Sequence, residues 1–535
     1  MSERNSVPAD LDVLVVGAGF TGLYMQLKLR EAGFAAHVVE AGSGVGGTWY
    51  WNRYPGARCD IPSIEYSYSF SPELERDWRW SERYAAQPEI LAYLEHVADR
   101  FDLNRDISLD TRVIAARWNA DARNWTVETD RGDKVTARFV VLGTGALSTP
   151  KTPDLPGLAN FRGEILHTAL WDDKAETSGK RIAVFGTGSS GIQVIPQMAK
   201  AASRLTIFQR TPNFAVPANN RDMTDADRAA AAVTLGEDRE KARHSPLGFF
   251  GAPYAGSAKA QDEAARDQRF EQQWGAGTTG MLMAYEDLLF DEESNAYAAG
   301  FIRDKIAGIV KDADKTRKMS PDYPLGSRRM CSEIGFYETM ARDDVTLVDV
   351  REEPVVEITA DEIVTGKARY PVDTIVFATG FDACVGAIKA IDIRGRDGAS
   401  LREEWMAGPR CYLGLAVAGF PNLFTVTGPG SPSVLSNVVI SIEQHVDWIA
   451  RCLCDLRDRG VDVIEADADA EQAWMAHSDA VAQATLFPRA DSWYKGRTRD
   501  GREVFMPYVG GVGAYRAKCD EVAAAGYEGF ILGAG

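Results

Sequence analysis

Two stretches of this 535-residue sequence share one pattern, which constrains the fold more than any other feature. In each, a short apolar run leads directly into Gly-x-Gly-x-x-Gly and then into a segment with helical spacing. Residues 11–16 precede the motif 17–22, and residues 181–185 precede the motif 186–191. Such glycines allow a tight turn and close approach to a pyrophosphate, while the helix N-terminus offers amide donors to phosphate. The pattern predicts an α/β protein with two Rossmann-like dinucleotide-binding units.

The residue after the second strand of each unit differs. The predicted strand 36–39 ends on Glu40, where a carboxylate accepts hydrogen bonds from an adenosine ribose and repels a 2′-phosphate. The first site is therefore predicted to take FAD or NAD. The strand 205–209 is followed by Arg210 and Thr211, and a cation with a hydroxyl suits a 2′-phosphate. The second site is predicted to prefer NADPH, with Arg210 as a solvated surface charge as the alternative.

A glycine-dense loop with aromatic neighbours follows the first unit, and such a backbone can lie against a ring system. A plain surface loop is the alternative, and Asp60 at its end has turn capping as its alternative role. The residues predicted to bind the first nucleotide are Gly17, Gly19, Phe20, Thr21, Gly22, Glu40, Gly47, Thr48, Trp49 and Asp60. Those predicted for the second are Gly186, Thr187, Gly188, Ser189, Ser190, Gly191, Gln193, Arg210 and Thr211.

Two strand-like runs, 138–142 and 373–377, both end near a Thr-Gly pair, and one follows each nucleotide unit. The chain is therefore expected to leave one domain and return to it later. The predicted domains are an FAD-binding domain (1–145 and 383–535), an NADP-binding domain (146–220 and 330–382) and a mainly helical insertion (221–329).

Composition excludes several classes of protein. The net charge of −18 argues against a nucleic-acid surface. No apolar run approaches the ~20 residues of a membrane span, and the polar N-terminal segment is too short for a signal peptide. The seven cysteines show neither zinc spacing nor a Cys-x-x-Cys pair, so a reduced, cytoplasmic protein without a metal site is expected, and we expect a monomer.

Two nucleotide sites in one chain imply that nicotinamide hydride passes to a flavin. A disulfide reductase would need a redox-active cysteine pair beside the ring. The close pair Cys452 and Cys454 lies in a late predicted helix with the wrong spacing. Dioxygen is then the expected acceptor, which indicates a monooxygenase or an oxidase.

The segment 161–172 lies between the two glycine motifs and reads Phe161-x-Gly163-x-x-x-His167-x-x-x-Trp171-Asp172. This arrangement resembles the fingerprint of the type I Baeyer–Villiger monooxygenases, flavoenzymes that convert ketones into esters or lactones. The resemblance covers nearly the whole chain and includes segments 46–49, 54–60 and 378–382. Within the family, the loop 431–437 looks most like the longer substrate-side loop of the phenylacetone and steroid monooxygenases. That likeness implies a substrate loop formed by Ser433, Val434 and Leu435.

The resemblance implies that NADPH reduces FAD, that dioxygen adds at flavin C4a, and that the peroxide attacks a ketone to give a tetrahedral adduct. Arg329 matches the family's active-site arginine, which stabilises the anionic peroxide, and Asp60 matches its partner carboxylate. The residues that would hold and cover NADP+ are Arg210, Thr211, Arg328 and Trp493. Oxidation of sulfides is implied as a further activity.

The sequence departs from the family pattern at three places. Pro62 stands where close relatives usually carry an acid, and Arg328 stands where a lysine is usual. Arg497 and its neighbours replace the usual run after Trp493, which affects how the C-terminal loop closes over NADP. A heteroatom (N/S) flavin monooxygenase, an NADPH oxidase and a non-catalytic redox sensor are the alternatives. Aryl, cyclic, linear and steroid ketones all stay open as substrates.

His167 has two possible roles, proton transfer and a hydrogen-bonded structural role. The peroxide step needs charge stabilisation more than a general base, which favours the structural role. The segment 161–172 is accordingly predicted to be the hinge between the FAD and NADP domains.

Overall fold

The computed structural model describes residues 6–251, 254, 256–497, 501 and 503–534. Within these residues the strands are β1 (Asp10–Val16), β2 (Ala36–Val39), β3 (Ile107–Ser108), β4 (Val113–Asn119), β5 (Asn124–Thr129), β6 (Lys134–Leu142), β7 (Glu164–His167), β8 (Arg181–Phe185), β9 (Arg204–Gln209), β10 (Ala215–Pro217), β11 (Cys331–Glu333), β12 (Val345–Asp349), β13 (Val355–Ile358), β14 (Glu362–Thr365), β15 (Arg369–Pro371), β16 (Thr374–Phe377), β17 (Asp392–Arg394), β18 (Leu423–Thr425), β19 (Val461–Ala466), β20 (Lys495–Arg497), β21 (Glu503–Phe505) and β22 (Phe530–Ala534). The helices are α1 (Phe20–Glu31), α2 (Thr48–Trp51), α3 (Pro72–Asp77), α4 (Gln87–Arg100), α5 (Ser189–Ala201), α6 (Asp225–His244), α7 (Glu263–Ala276), α8 (Thr278–Leu282), α9 (Glu292–Val310), α10 (Ala313–Met319), α11 (Phe336–Met340), α12 (Gly386–Ala390), α13 (Leu401–Glu404), α14 (Val438–Asp458), α15 (Ala468–Gln483) and α16 (Val512–Ala524).

The larger sheet is built around β1. Its order is β17-β4-β5-β6-β1-β2-β3, and β18 pairs with β6. β1 lies parallel to both β2 and β6. Val13, Leu14 and Val15 of β1 are wholly buried, as expected of an apolar strand covered on both faces.

The smaller sheet has the order β12-β9-β8-β16-β7, and all its strand pairs are parallel. The larger sheet takes β1 to β6 from before this sheet in the chain and β17 and β18 from after it. The chain therefore leaves the larger sheet and returns to it, and the predicted class of two discontinuous Rossmann-like units is confirmed. The residue boundaries of the two domains stay predictions.

Some element boundaries differ from the sequence-based expectation. β2 and β8 begin and end as predicted, whereas α1 begins at Phe20 and not at Leu23. Helical spacing of apolar residues becomes visible only after Gly22, so the first turn was not recognised. The strand β4 and the antiparallel sheet β13-β14-β15 were not predicted, because these short strands mix polar and apolar residues.

The expected helical insertion is confirmed by α6 to α10, which lie between β10 and β11 in the chain. Arg239 of α6 is only 4% exposed and donates to the carbonyl oxygens of Ile64 (2.7 Å), Glu65 (3.2 Å) and Ser67 (3.1 Å). The insertion is thereby attached to the loop that follows Asp60. No helix in the described part of the chain is long and apolar enough to span a membrane. All seven cysteines are free thiols.

Candidate active site at the junction of two nucleotide units

The first glycine motif has no room for side chains. Gly17 has a φ of +103°, and a Cβ on it would lie 2.5 Å from Gly143 O. A Cβ on Gly22 would lie 1.8 Å from Gly17 O, so both positions require glycine. The N-cap residue of α1 is Gly19, which has no side chain to cap the helix that begins with Phe20 and Thr21. The motif thus forms a bare backbone cradle of the type that binds a pyrophosphate.

Glu40 lies at the end of β2 and is 5% exposed. Its Oε2 accepts a hydrogen bond from Ala18 N (2.8 Å), and its Oε1 accepts one from Gly42 N (2.7 Å). The carboxylate therefore braces the glycine motif against the loop that follows β2. Its contact with an adenosine ribose stays a prediction.

The glycine-dense loop lies against the first motif. Gly47 has a φ of +54°, and a Cβ on it would lie 2.9 Å from Gly19 Cα. Thr48 begins α2, and the buried Trp49 donates from Nε1 to Tyr66 OH at 3.2 Å. This segment is part of the core around the first unit and not a detached surface loop.

The second glycine motif repeats the geometry of the first. Gly186 has a φ of +106°, and a Cβ on it would lie 2.5 Å from Ala378 O. A Cβ on Gly191 would lie 2.1 Å from Gly186 O, whereas one on Gly188 would meet nothing within 4 Å. The N-cap residue of α5 is Gly188, which has no side chain to cap the helix that begins with Ser189 and Ser190. The open space at Gly188 leaves room for a nucleotide beside the backbone, and the contact itself stays a prediction.

A second brace holds this motif. The hydroxyl oxygen of Thr187 lies 3.1 Å from Gln209 Oε1 and 3.2 Å from Thr211 O, and its O–H donates to these two acceptors. Arg210 between these two residues is exposed and has neither a hydrogen bond nor an ion pair among the described residues.

Arg328 is a second cation without a carboxylate partner in the described part of the chain. Its Nε is buried without a hydrogen-bond partner, and its guanidinium lies 5.4 Å from the centre of the Tyr323 ring. Tyr323 OH donates to Pro212 O (3.0 Å) and Asn213 Oδ1 (2.8 Å). The turn that carries Arg328 is therefore fixed against the segment that follows Arg210 and Thr211. An unpaired cation at this place fits a 2′-phosphate.

Arg329 and Asp60 form a bidentate ion pair. Arg329 Nε donates to Asp60 Oδ2 and Nη2 donates to Oδ1, both at 2.7 Å. The two side chains are 27% and 18% exposed. Burial disfavours the charged guanidinium, but the Asp60 carboxylate outweighs this effect and raises the pKa of Arg329 above its ordinary range. The arginine is a permanent, fixed positive charge in a partly desolvated place.

The predicted substrate loop meets this arginine. Nη1 of Arg329 donates to Val434 O at 2.5 Å. Ser433 has a φ of +44° and is 2% exposed, and its hydroxyl has no hydrogen-bond partner among the described residues. Leu435 packs against an apolar cluster that includes Phe487 and Phe505. The loop thus contributes a carbonyl contact and an apolar wall beside the guanidinium.

Tyr494 is a site residue that the sequence did not reveal. Its ring lies 4.7 Å from that of Trp493, which is partly buried, and it belongs to the same apolar cluster as Val434. Burial raises the pKa of Tyr494, although the nearby Arg329 opposes the rise. The one signal in the sequence was its position directly after Trp493. Residues 498–500 and 502, which follow Arg497, lie outside the described residues.

The fingerprint segment lies where the chain crosses between the sheets. His167 ends β7, its Nδ1 accepts from Ala169 N (3.0 Å), and its Nε2 lies 3.4 Å from Lys151 O. Burial lowers the pKa of His167, although the bond to Lys151 O opposes the decrease. Because Nδ1 accepts a hydrogen bond, the proton of the neutral imidazole lies on Nε2. Both ring nitrogens are therefore held by backbone groups.

The other fingerprint residues surround this strand. A Cβ on Gly163 would lie 2.3 Å from Asp373 O and 2.5 Å from the Phe161 ring, so only glycine fits. Trp171 is partly buried against the core of the second unit, and the exposed Asp172 accepts from Lys174 N at 2.9 Å. Among the described residues, none of these five has a hydrogen bond or an ion pair with Arg329.

The chain is similar to known monooxygenases over nearly its whole length. The family model described as pyridine nucleotide-disulphide oxidoreductase matches residues 14–224. A phenazine N-monooxygenase of Lysobacter antibioticus is 41% identical over 97% of this chain and 97% of its own. A Baeyer–Villiger monooxygenase of Pseudooceanicola batsensis is 39% identical over 98% of this chain and 97% of its own. The structure of an oxidized steroid monooxygenase bound to NADP has a TM-score of 0.94 and 48% identity, covering 98% of this chain and 100% of that one.

These likenesses and the two nucleotide units define the class: the chain is a flavin-type monooxygenase. Within that class it belongs to the Baeyer–Villiger monooxygenases. The resemblance carried by the segment 161–172 is thereby confirmed.

Proposed function

We propose that the chain is an FAD-containing, NADPH-dependent monooxygenase that inserts one oxygen atom of O2 next to a ketone carbonyl. The products are an ester or lactone, NADP+ and water, so that one NADPH and one proton are consumed for each ketone. The observation that carries this proposal is the Arg329–Asp60 pair, which lies between the two nucleotide units and touches the substrate loop.

The two bare glycine cradles fit two dinucleotides, FAD in the first and NADPH in the second. FAD would be held by the domain 1–145 and 383–535, and NADPH by the domain 146–220 and 330–382, with 221–329 as the insertion. Bound together, these cofactors supply hydride transfer and oxygen activation. Glu40 in one unit and the unpaired Arg210 and Arg328 in the other support this assignment of the two sites.

Arg329 is proposed to stabilise the negative charge that develops on oxygen beside the flavin. A guanidinium has five N–H donors, and three of those of Arg329 are used by Asp60 and Val434 O. One donor on each Nη therefore stays available for an anionic oxygen. Because Asp60 fixes the plane of the guanidinium, these donors are oriented before the reaction, which is the condition for effective electrostatic stabilisation.

Trp493, Tyr494 and the substrate loop are proposed to keep water out of this place. The apolar cluster that joins Val434, Leu435, Tyr494 and Trp493 lies directly beside the ion pair. Water there would protonate an anionic oxygen and would divert the reaction to hydrogen peroxide.

His167 is proposed to act in the hinge and not in proton transfer. Lys151 O accepts from His167 Nε2 and from the Thr379 hydroxyl, and Lys151 N donates to Gly380 O at 2.9 Å. The two segments in which the chain passes between the sheets are thus hydrogen-bonded to each other at Lys151, which supports a structural role for His167.

Heteroatom oxygenation is the second candidate function, and the 41% identity to a phenazine N-monooxygenase is the observation that favours it. The two functions differ in the acceptor and not in the cofactors. A product screen with NADPH across linear, aryl, cyclic and polycyclic ketones, sulfides and aromatic amines separates them. Ester or lactone formation supports the first proposal, and N-oxides or sulfoxides without any ester would replace it by the second.

Two properties of the protein itself are proposed together with this activity. The seven free cysteines support a cytoplasmic location. A monomer is proposed, and light scattering on the FAD-loaded protein tests it.

A further inference from the structure

The loop that carries Asp60 lies directly against helix α5 of the second nucleotide unit. Gly56 in this loop has a φ of +87°, and a Cβ on it would lie 2.6 Å from Gln193 O and 3.0 Å from Gln197 Cγ. Only glycine permits so close an approach. The first unit and the helix of the second unit therefore touch through backbone at this point.

The side chain of Gln193 closes the contact with three hydrogen bonds. Its Nε2 donates to Arg58 O at 2.9 Å, and its Oε1 accepts from Tyr54 OH (2.8 Å) and Arg58 N (3.3 Å). Both acceptor sites of the amide oxygen are thus used by this loop. Three of the four hydrogen-bonding positions of the Gln193 amide are therefore used by this loop.

Arg58 is two residues from Asp60 and is held on its other side by the first unit. Its guanidinium donates to the Glu82 carboxylate and to Tyr84 O. Cys59 N donates to Ala85 O at 3.2 Å. The short path from α5 to the active-site arginine therefore runs through Gln193, Arg58 and Asp60.

We propose that Gln193 is a positioning residue, which couples helix α5 to the Asp60–Arg329 pair by holding the backbone of Arg58. The proposal rests on the proposed function, and it assigns Gln193 an effect through the loop in place of direct contact with NADPH. Occupancy of the cradle at the start of α5 would then be transmitted to the orientation of Asp60.

The variant Gln193→Glu tests the donor directly. A protonated carboxyl keeps both parts of the contact, since its O–H can donate to Arg58 O while its carbonyl accepts from Tyr54 OH. The carboxylate has no proton to donate and would face that carbonyl oxygen. In the FAD-loaded protein, the ester formed for each NADPH oxidised, measured at saturating NADPH, should therefore be near the wild-type value at low pH. It should fall about tenfold as the pH rises, corresponding to roughly one lost hydrogen bond.

The variant Gln193→Ala removes the contact at every pH. The ester that it forms for each NADPH oxidised should fall about tenfold, while the Michaelis constant for NADPH changes less than about twofold. Gln197→Ala is the matched control, because Gln197 lies one turn later on α5 and, among the described residues, its side chain accepts a hydrogen bond only from the exposed Lys200. This control should match the wild type in both quantities.

Hydrogen exchange supplies a readout that does not depend on turnover. Peptides that contain residues 54–60 should exchange faster in Gln193→Ala than in the wild type, and NADP+ should protect them in the wild type only. If Gln193→Glu follows the wild-type pH profile and exchange in this loop is unchanged in Gln193→Ala, the coupling does not exist. A wild-type protein that makes no ester would instead refute the proposed function, whatever the exchange experiment shows.

Discussion

The glycine motifs of the two nucleotide units have similar backbone geometry but are held in place by different hydrogen bonds. In the first, the carboxylate of Glu40 binds Ala18 N and Gly42 N, so the residue after β2 faces inward and is buried. In the second, the brace comes from the motif itself, because the Thr187 hydroxyl reaches Gln209 Oε1 and Thr211 O. The residue at position 210 is therefore not needed to hold the motif, and here it is an arginine with an exposed side chain.

We propose that this difference allows one fold to serve two coenzymes. An inward carboxylate after the second strand stabilises the motif and repels a 2′-phosphate. Once a threonine in the motif takes over the stabilising role, the same position can be basic without weakening the turn. We infer that Thr187 and Arg210 form a functional pair, as Ala18 and Glu40 do.

The two units meet at the Arg329–Asp60 pair, where the largest effect is expected. Arg329→Ala should still consume NADPH but lose ester formation by about 10³-fold, because a preoriented charge donor is worth ~10²–10³ or more in rate. The measurement is ester formed for each NADPH oxidised, with hydrogen peroxide as the alternative product.

The neighbouring variant Arg328→Ala serves as its control. Arg328 has no bond to Asp60, so its loss should weaken NADPH binding and leave the ratio of ester to NADPH unchanged. Normal ester yield from Arg329→Ala would contradict the role proposed for Arg329.

Glu40→Gln tests the brace of the first unit. The amide oxygen can replace one carboxylate oxygen, but the NH2 group would then face the N–H of Ala18 or Gly42. Loss of a charge-assisted bond and a buried unpaired donor should cost about 3 kcal/mol. FAD should be released at a lower temperature during thermal unfolding, and retention of FAD equal to the wild type would show that Glu40 is not a brace.

Features of the two units that depend on a few consecutive residues could be predicted from the sequence. The bounds of β2 and β8 and the contrast between Glu40 and Arg210 follow from short patterns. The braces were not predictable, because a hydrogen bond from Thr187 to Gln209 depends on the side-chain orientation of two residues 22 positions apart.

The contacts at the junction of the units join residues that are even farther apart in the sequence. Asp60 and Arg329 are separated by 269 residues, and Arg329 and Val434 by 105. Only the family resemblance brought the first two together in the sequence-based prediction. It did not reveal the place of Tyr494 or the contacts between Gln193 and the loop 54–60, since both depend on how segments distant in the sequence pack together.

Arg210→Ala tests whether the exposed arginine of the second unit recognises the 2′-phosphate of NADPH. Arg210 is exposed and has no hydrogen-bond or ion-pair partner among the described residues, so its removal should leave the unfolding temperature unchanged. The Michaelis constant for NADPH should rise by about 10- to 150-fold, the equivalent of ~1.5–3 kcal/mol for a lost phosphate contact, while that for NADH stays nearly constant. Equal effects on the two coenzymes would mean that Arg210 does not recognise the 2′-phosphate.

Thr187→Val should have the smallest effect, and it tests whether the second brace matters. Valine keeps the shape of threonine but removes the hydroxyl, so Thr211 O loses one partner at a cost of about 0.5–1.5 kcal/mol. Because Thr211 lies next to Arg210, the affinity for NADPH should fall about two- to tenfold.

Thr187→Ser is the matched control, since it keeps the hydroxyl and should keep the affinity. NADP+ binding measured by titration calorimetry separates this effect from turnover. If valine and serine bind NADP+ equally well, the hydroxyl is not a brace. The freedom of position 210 to carry a cation would then come from the backbone of the second unit alone.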